Sequence, residues 1–484
     1  MRQSITRSTV FCAVLLLSGC DASDNAQAPV QSEEVTKSWL AGDHHIHSHY
    51  SAEWDESVDP PAAILGVEAT HSTALNAQMG HHHGLSWMVT TDHGGPNHSK
   101  LNREQAYPEL LQSREANSGI IQFYGMEFDT PGAKHSTLII PHTSDEADRL
   151  FQLEKSYAWK DEYPENLSRH TEERMLDALQ AMRVLADQPI VIVNHPGRSA
   201  TGLGVYTTVT PQELRNWNDV APTVAVGMAG APGHQAASLD RDGSIRTDRH
   251  RGDYDAYPTM GGFDQLTARL GGFWDSMLGE GRRWWITSSS DSHIHYTEGG
   301  KDFWPGEFSK TYVFADKSYD GILQSLRNGH VFVTTGDLIS ELYVTAEADD
   351  GLQSSIGDQL QVAAGANVRI TVRFLDPDGL NAHHDNPSVA RLDLITGLIT
   401  GPVADRTQDT NPTTQVEKRF LPESWERDGK YSVVTYELTN VVADSYLRVR
   451  GTNGTELEPE TDSLGEDPWS DLWFYSNPIF VTVR

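Results

Sequence analysis

The rhythm of apolar and polar positions changes part-way along the chain. Between about residues 38 and 336, short apolar runs alternate with stretches whose apolar residues recur at helical spacing. The runs predict strands over 86–91, 120–124, 136–140, 190–193, 223–226 and 284–287. The stretches predict helices over 61–76, 172–186, 211–216, 263–271 and 318–328. Strands alternating with helices are the pattern of parallel α/β units, a barrel among them. After about Asp337 the helical rhythm nearly vanishes. Alternating runs over 341–346, 367–374, 390–395, 431–438, 446–450 and 478–483 follow, separated by turn sequences such as Asp376-Pro377-Asp378-Gly379. They predict a small antiparallel β-sandwich.

Composition narrows the chemistry. Sixty-eight acidic against 37 basic residues give a formal net charge of −31 over 484 residues, which lacks the basic footprint of a nucleic-acid binder. The two cysteines, Cys12 and Cys20, both lie in the first twenty residues. Arg2 and Arg7 precede a short apolar run over 10–17, and Leu17-Ser18-Gly19-Cys20 follows. The run is too short to span a bilayer and reads as a bacterial lipoprotein signal, with Cys20 lipidated. The expected organisation is a signal over 1–19, a polar tether over 20–36, a first domain over 37–337 and a β-sandwich over 338–484. The protein would then be exported to the periplasmic side of a membrane and held there by its lipid alone. With its Cys blocked, any metal it binds must use imidazole nitrogen and carboxylate oxygen.

Histidine is the informative residue. Asp43-His44-His45-Ile46-His47 sets His45 and His47 two apart, on one face if the segment is a strand. Predicted strands then run into Asp92-His93, Glu127, His195 and Asp291-Ser292-His293, while His135 opens one. Strand ends of an α/β barrel converge on one face, and imidazoles with carboxylates there suit Zn²⁺, Mn²⁺ or Fe²⁺. Arg198, just past His195, is placed to grip an anionic oxygen, and His234 to meet a leaving group. His44, His49 and 81–83 read as solvated loops, and Trp274, Trp284 and Trp285 as core. No Gly-x-Ser-x-Gly motif precedes a helix, which disfavours a serine hydrolase.

These ordered motifs resemble the PHP (polymerase and histidinol phosphatase) superfamily over about 300 residues. The segments 321–336 and 472–479 are similar to its exported, CehA/McbA-like branch. The resemblance implies a distorted (β/α)7 barrel carrying two or three divalent metal ions. It implies a first ion on His45, His47 and Asp291, a second on His135 and His195 with Glu127 bridging, and a third on His93 and His293. Where the family supplies one more third-site ligand this chain has Ala52, and Glu53 is the nearest substitute. The implied activity is hydrolysis of a small-molecule phosphoric ester by a hydroxide held between metals, with Asp291, Arg198 and His234 at the reaction. A phosphodiester is favoured, because Arg198 is the one well-placed basic side chain in the motifs. The branch also contains carboxylic ester and carbamate hydrolases, so that alternative stands beside the first. An amidohydrolase barrel fits less well, since it ends in a single Asp. A non-enzymatic surface-binding lipoprotein is the remaining reading.

Overall fold

Ile190-Val191-Ile192-Val193 folds into a strand buried along its whole length. Its β-branched side chains suit a pleated backbone, and a strand covered on both faces needs no polar alternation. The computed structural model describes residues 36–254 and 256–484. The expected signal, with Cys20, and the tether as far as residue 35 lie outside the described residues.

The architecture is mixed α/β: a large mixed sheet, a separate antiparallel sheet and a two-stranded hairpin. Seven strands of the large sheet lie side by side in sequence order. They are β1 (Ser38–Ile46), β2 (Trp87–Thr90), β3 (Ile121–Asp129), β4 (His135–Ile139), β5 (Ile190–Val193), β6 (Ala225–Ala231) and β7 (Trp285–Ser288). The β1/β2, β2/β3, β5/β6 and β6/β7 pairs are parallel. The expectation of parallel units throughout needs correction at β4, which runs antiparallel to both neighbours. Only residues 130–134 separate β3 from β4, too few for the crossover that a parallel pair requires. Gly132, at φ +77°, lies in that turn. The reversal sets the first residue of β4, His135, opposite the last of β3, Asp129. The ends of β1 and β7 also meet. Ile46 bridges Ser292, Asp291 N donates to His45 O at 3.0 Å, and His47 N donates to Ser292 O at 2.9 Å.

Seven main helices accompany the strands: α1 (Thr73–His82), α2 (Tyr107–Ala116), α3 (Glu146–Tyr157), α4 (Glu172–Arg183), α5 (Pro211–Val220), α6 (Phe273–Gly279) and α7 (Tyr319–Asn328). Leu110, Leu150, Met175, Leu179 and Trp217 from these helices share one apolar core with the strands. The helix expected over 61–76 is cut back to α1, which Ser72 caps by accepting from Leu75 N. Ahead of it, Ala62–Ile64 pairs with Glu53–Asp55 as the hairpin. The helix expected over 263–271 is only the single turn Gln265–Ala268, and α6 begins beyond it, after Gly271 at φ +66°.

Beyond β7, strands β8 (Ser309–Ala315) and β9 (Val331–Thr335) extend the large sheet from β1. It then runs on through C-terminal strands. In chain order the remaining main strands are β10 (Glu341–Ala348), β11 (Ala366–Leu375), β12 (Arg391–Leu398), β13 (Gln415–Phe420), β14 (Tyr431–Val441), β15 (Ser445–Thr452), β16 (Trp473–Ser476) and β17 (Ile479–Val483). β16 pairs with β9, so hydrogen bonding crosses the position near 337 where the sequence changes character. β10, β11 and β14 make the core of the separate antiparallel sheet. β10 alternates half-buried and buried positions, as a strand with one wet face should. Its Leu342, Val344 and Ala346 join Leu394, Val449 and Phe474 of the large sheet in a second apolar core.

Candidate metal centre

The strand ends bring all six sequence groups together, the antiparallel turn supplying His135. His45 and His47 come from the end of β1, His93 follows β2, and Glu127 lies near the end of β3. His135 opens β4, His195 follows β5, and Asp291 and His293 follow β7. Three of the positions gathered here hold non-glycine residues at positive φ: His195 (+30°), His234 (+58°) and Asp291 (+50°). Such backbone strain persists where surrounding structure enforces it, and it concentrates at functional sites.

Two carboxylates organise the centre. Asp291 Oδ1 stands 3.1 Å from His45 Nε2 and 3.2 Å from His47 Nε2. Glu127 Oε1 stands 3.1 Å from His45 Nε2, 3.2 Å from His135 Nδ1 and 3.2 Å from His195 Nε2. Glu127 thus touches both the first and second groups of ligands. Burial alone would raise both acids. His135 and His45 hold Glu127 well below the usual carboxylate range, and His234 and His45 do the same for Asp291. Asn194 Nδ2 also donates to Glu127 Oε1 at 3.0 Å.

The hydrogen-bond pattern tests whether this donor set fits a cation. Ser51 Oγ gives its single hydrogen to Asp92 Oδ1 at 3.0 Å, so at 2.8 Å it accepts from His47 Nδ1. Burial pushes His47 down to about 4, so at neutral pH its Nε2 carries a bare lone pair. That lone pair faces Asp291 Oδ1 and Glu127 Oε2, and His45 Nε2 lies 2.9 Å away. Lone pairs turned on carboxylates repel unless a positive charge lies among them. In the chain by itself that charge is protonic. Burial lowers His45 and His135, but Asp291 and Glu127 raise His45 overall, and Glu127 and Asp129 push His135 up to about 9. Burial, with Arg198 adding to it, pushes His195 down to about 3. Its Nδ1 is buried without a hydrogen-bond partner. The residues therefore fit divalent metal: buried His, Glu and Asp groups, oriented by outer partners, with ligand atoms converging.

The third group is His93 and His293, near His47. His293 Nδ1 donates to the Asp291 carbonyl at 2.8 Å, and burial and His47 push the ring down to about 3, leaving Nε2 free to ligate. Glu53 is not brought here. It begins the exposed hairpin, and the extended chain turns it away from buried Ala52, whose N–H donates to His93 O. Glu68 takes that place, with Oε1 3.3 Å from His93 Nε2. It was hidden inside the segment expected as helix. His93 holds Glu68 down at about 2 although burial would raise it.

Arg198 and His234 both reach Asp291 Oδ2 at 3.1 Å. His234 Nδ1 is held in turn by Asp302, whose other oxygen accepts from His293 N at 2.8 Å. Asp302 lies in no motif and only the fold reveals it. His44 is a correction: it is buried inside β1, not solvated, and is held by Thr137 Oγ1 at 3.1 Å and Thr287 Oγ1 at 2.8 Å. Trp274, Trp284 and Trp285 are core.

The centre opens into a cavity of about 550 Å³. Besides the ligands, Arg198, His234, Arg246, Arg249, Asp253 and Lys301 line it. The expectation that Arg198 is the one well-placed basic side chain is thereby corrected, since Arg246, Arg249 and Lys301 line the same cavity. A long loop after β6 brings Arg246 and Arg249 into this lining, far in sequence from any motif. A second groove, of about 630 Å³, shares Glu68 and His93 and is walled by Trp54, Tyr163, Pro61, Pro96 and Lys160. No helix among the described residues is long and apolar enough to cross a membrane. Comparison with models of known protein families found no match, and comparison with curated proteins found none.

Proposed function

We propose that this protein is a metal-dependent phosphoesterase of the PHP type, exported as a lipoprotein, that hydrolyses small-molecule phosphodiesters: Arg198 is the one of the four basic side chains in the cavity that pairs with a carboxylate of the centre, while Arg246, Arg249 and Lys301 pair with Asp248 and Asp253. The observation that carries the reading is Glu127, buried and touching His45, His135 and His195 at 3.1 to 3.2 Å, between two sets of ligand atoms. We read β1 to β7, whose first and last strands meet at Ile46 and Ser292, as the distorted seven-stranded barrel, and the C-terminal sheets as its sandwich.

His45, His47, Asp291 and Glu127 would hold one ion, Glu127, His135 and His195 a second, and His93, His293 and Glu68 a third. Mn²⁺, Zn²⁺ or Fe²⁺ bound there would supply water activation at neutral pH and charge neutralisation. The chain's own groups do the rest. Arg198 presents a guanidinium beside Asp291, where it grips a phosphoryl oxygen. His234, oriented by Asp302, faces the same carboxylate and meets the departing oxygen. Asp92, through Ser51, keeps the His47 lone pair aimed inward.

The test is a chain beginning at Asp21, purified with Mn²⁺ or Zn²⁺. It is offered a bis-aryl phosphate, the matching aryl monophosphate, an aryl carboxylic ester and an aryl carbamate. The highest kcat/KM is expected for the phosphodiester. Fastest cleavage of the carboxylic ester or carbamate would move the chemistry to carbon. A metal-free, inactive protein would leave a surface-binding role.

A further inference from the structure

Three basic side chains of the cavity lining, more exposed than Arg198 and His234, take no part in the reaction as proposed. Arg246 and Arg249 enter the cavity from the loop after β6, and Lys301 enters from the loop after β7. Asp253 ties two of them together: Lys301 Nζ lies 2.7 Å from its Oδ2 and Arg249 Nη1 3.6 Å from its Oδ1. Arg246 rests on Asp248 at 3.3 Å and lies 4.0 Å from Asp240, and neither acid lines the cavity. With Asp302 engaged by His234 and His293 N, the lining here presents three cations around the one carboxylate of Asp253, in a protein whose net charge is −31. Gly299 and Gly300 line the same wall, and Gly299 sits at φ +99°. A Cβ on Gly299 would run into the Arg241 guanidinium and one on Gly300 into the Ile294 carbonyl, so both positions let neighbouring groups pack close against this wall. Asp253 itself holds a left-handed φ of +49° after Gly252 at +76°, which fixes the carboxylate that positions Lys301 and Arg249. This region is continuous with the centre, since Arg198, His234, Asp291 and His293 line the same cavity.

We propose that Arg246, Arg249 and Lys301 form an anion subsite that selects substrates with a second negatively charged group, a carboxylate or phosphate, beyond the ester cleaved at the metal centre. This rests on the phosphodiesterase reading above and adds its substrate class. A phosphodiester monoanion meets the metals and Arg198, and the anionic end of its retained substituent meets the three outer cations. Partly exposed guanidiniums in a concave site bind oxyanions in a forked geometry, and the interaction weakens as salt screens it.

The test compares methyl 4-nitrophenyl phosphate with its 2-carboxyethyl and 2-phosphonoethyl analogues, using metal-loaded wild type, R246A/R249A and K301A. In wild type, kcat/KM for each anionic ester is expected to exceed that for the methyl ester at least tenfold, mainly through KM. The ratio should fall as salt is raised. In R246A/R249A the ratio is expected to collapse toward one, with K301A between. A ratio near one in wild type, or an unchanged ratio in R246A/R249A, overturns the subsite. Which analogue gains more distinguishes carboxylate from phosphate as the preferred group. A binding arm separates this proposal from the phosphodiesterase reading. Inorganic phosphate and succinate are titrated calorimetrically into chelator-treated protein, and at least one is expected to bind fivefold more weakly, or worse, to R246A/R249A. If no ester is cleaved but this loss appears, the activity fails and the subsite stands. If neither ligand's binding changes, the subsite is overturned.

Discussion

At the scale of single residues, Glu127 and Asp291 carry the most consequence, because each organises several imidazoles whose lone pairs otherwise have nothing to face. Glu127→Gln and Asp291→Asn are each expected to lower turnover roughly a thousandfold or more while the protein stays folded. Elemental analysis of the same preparations should show lost metal, and near-normal activity in either variant would refute the assignment. A different histidine sets a pH dependence of stability. His98 is buried with its Nδ1 2.6 Å from Glu154. Burial would lower the ring, but Glu154 pushes it up to about 9. The folded value therefore lies above the unfolded one of about 6.5, so its contribution is complete below pH 6.5 and is lost as pH rises through 9. The unfolding midpoint of wild type should fall over that window relative to His98→Gln, measured by chemical denaturation at fixed metal loading. Parallel pH profiles would refute it.

At the scale of elements, the β3–β4 hairpin decides whether the second group of ligands forms. Its turn needs Gly132: φ is +77°, and an added Cβ would lie 2.5 Å from Glu172 N. Gly132→Ala is expected to cost about 2 kcal/mol through backbone strain. It should also displace His135 from Glu127 and weaken one metal equivalent. Calorimetric unfolding and metal titration of the variant check both, and wild-type behaviour in both would show that the turn tolerates a side chain. The opposite lesson comes from β1. Its His-x-His spacing is legible as ligand chemistry, yet the burial of His44 is not, because no local rule separates a buried histidine on a strand from a wet one in a loop.

At the scale of the whole molecule, the C-terminal segment completes the sheet that carries the centre. Asn477 Oδ1 accepts from Ile286 N at 2.9 Å and its Nδ2 donates to Ile286 O at 3.3 Å, pairing a β7 residue as a neighbouring strand would. Arg448 on β15 meets Asp275 on α6 at 2.8 Å, and both are fully buried. A chain ending at 337 strips these partners and the pairing of β9 with β16, and it is expected not to fold. A well-dispersed NMR spectrum from residues 37–337 would refute that. Arg448→Met removes the guanidinium partner of the buried Asp275 carboxylate, at an expected cost of about 3–5 kcal/mol by urea unfolding. At least two metal equivalents per chain are expected after purification without chelator. Less than one equivalent in an active preparation would end the metal reading.

What the sequence determined by itself is what depends on local order. Runs such as Ile190–Val193 specify strands because four β-branched residues have one comfortable backbone. His45, His47, His93, Glu127, His195, Asp291 and His293 were legible because polar residues ending apolar runs must gather where the strands end. Tertiary structure alone decided what depends on chain direction and on distant loops. The reversal of β4 put His135 beside Glu127, and a loop folded Glu68 into the place expected of Glu53. Asp302 came under His234, and Arg246, Arg249 and Lys301 reached the cavity mouth. The physical reason is that a side chain's role in these cases is set by neighbours tens of residues away, and neither hydrophobic period nor ligand spacing encodes which of them the fold will bring together.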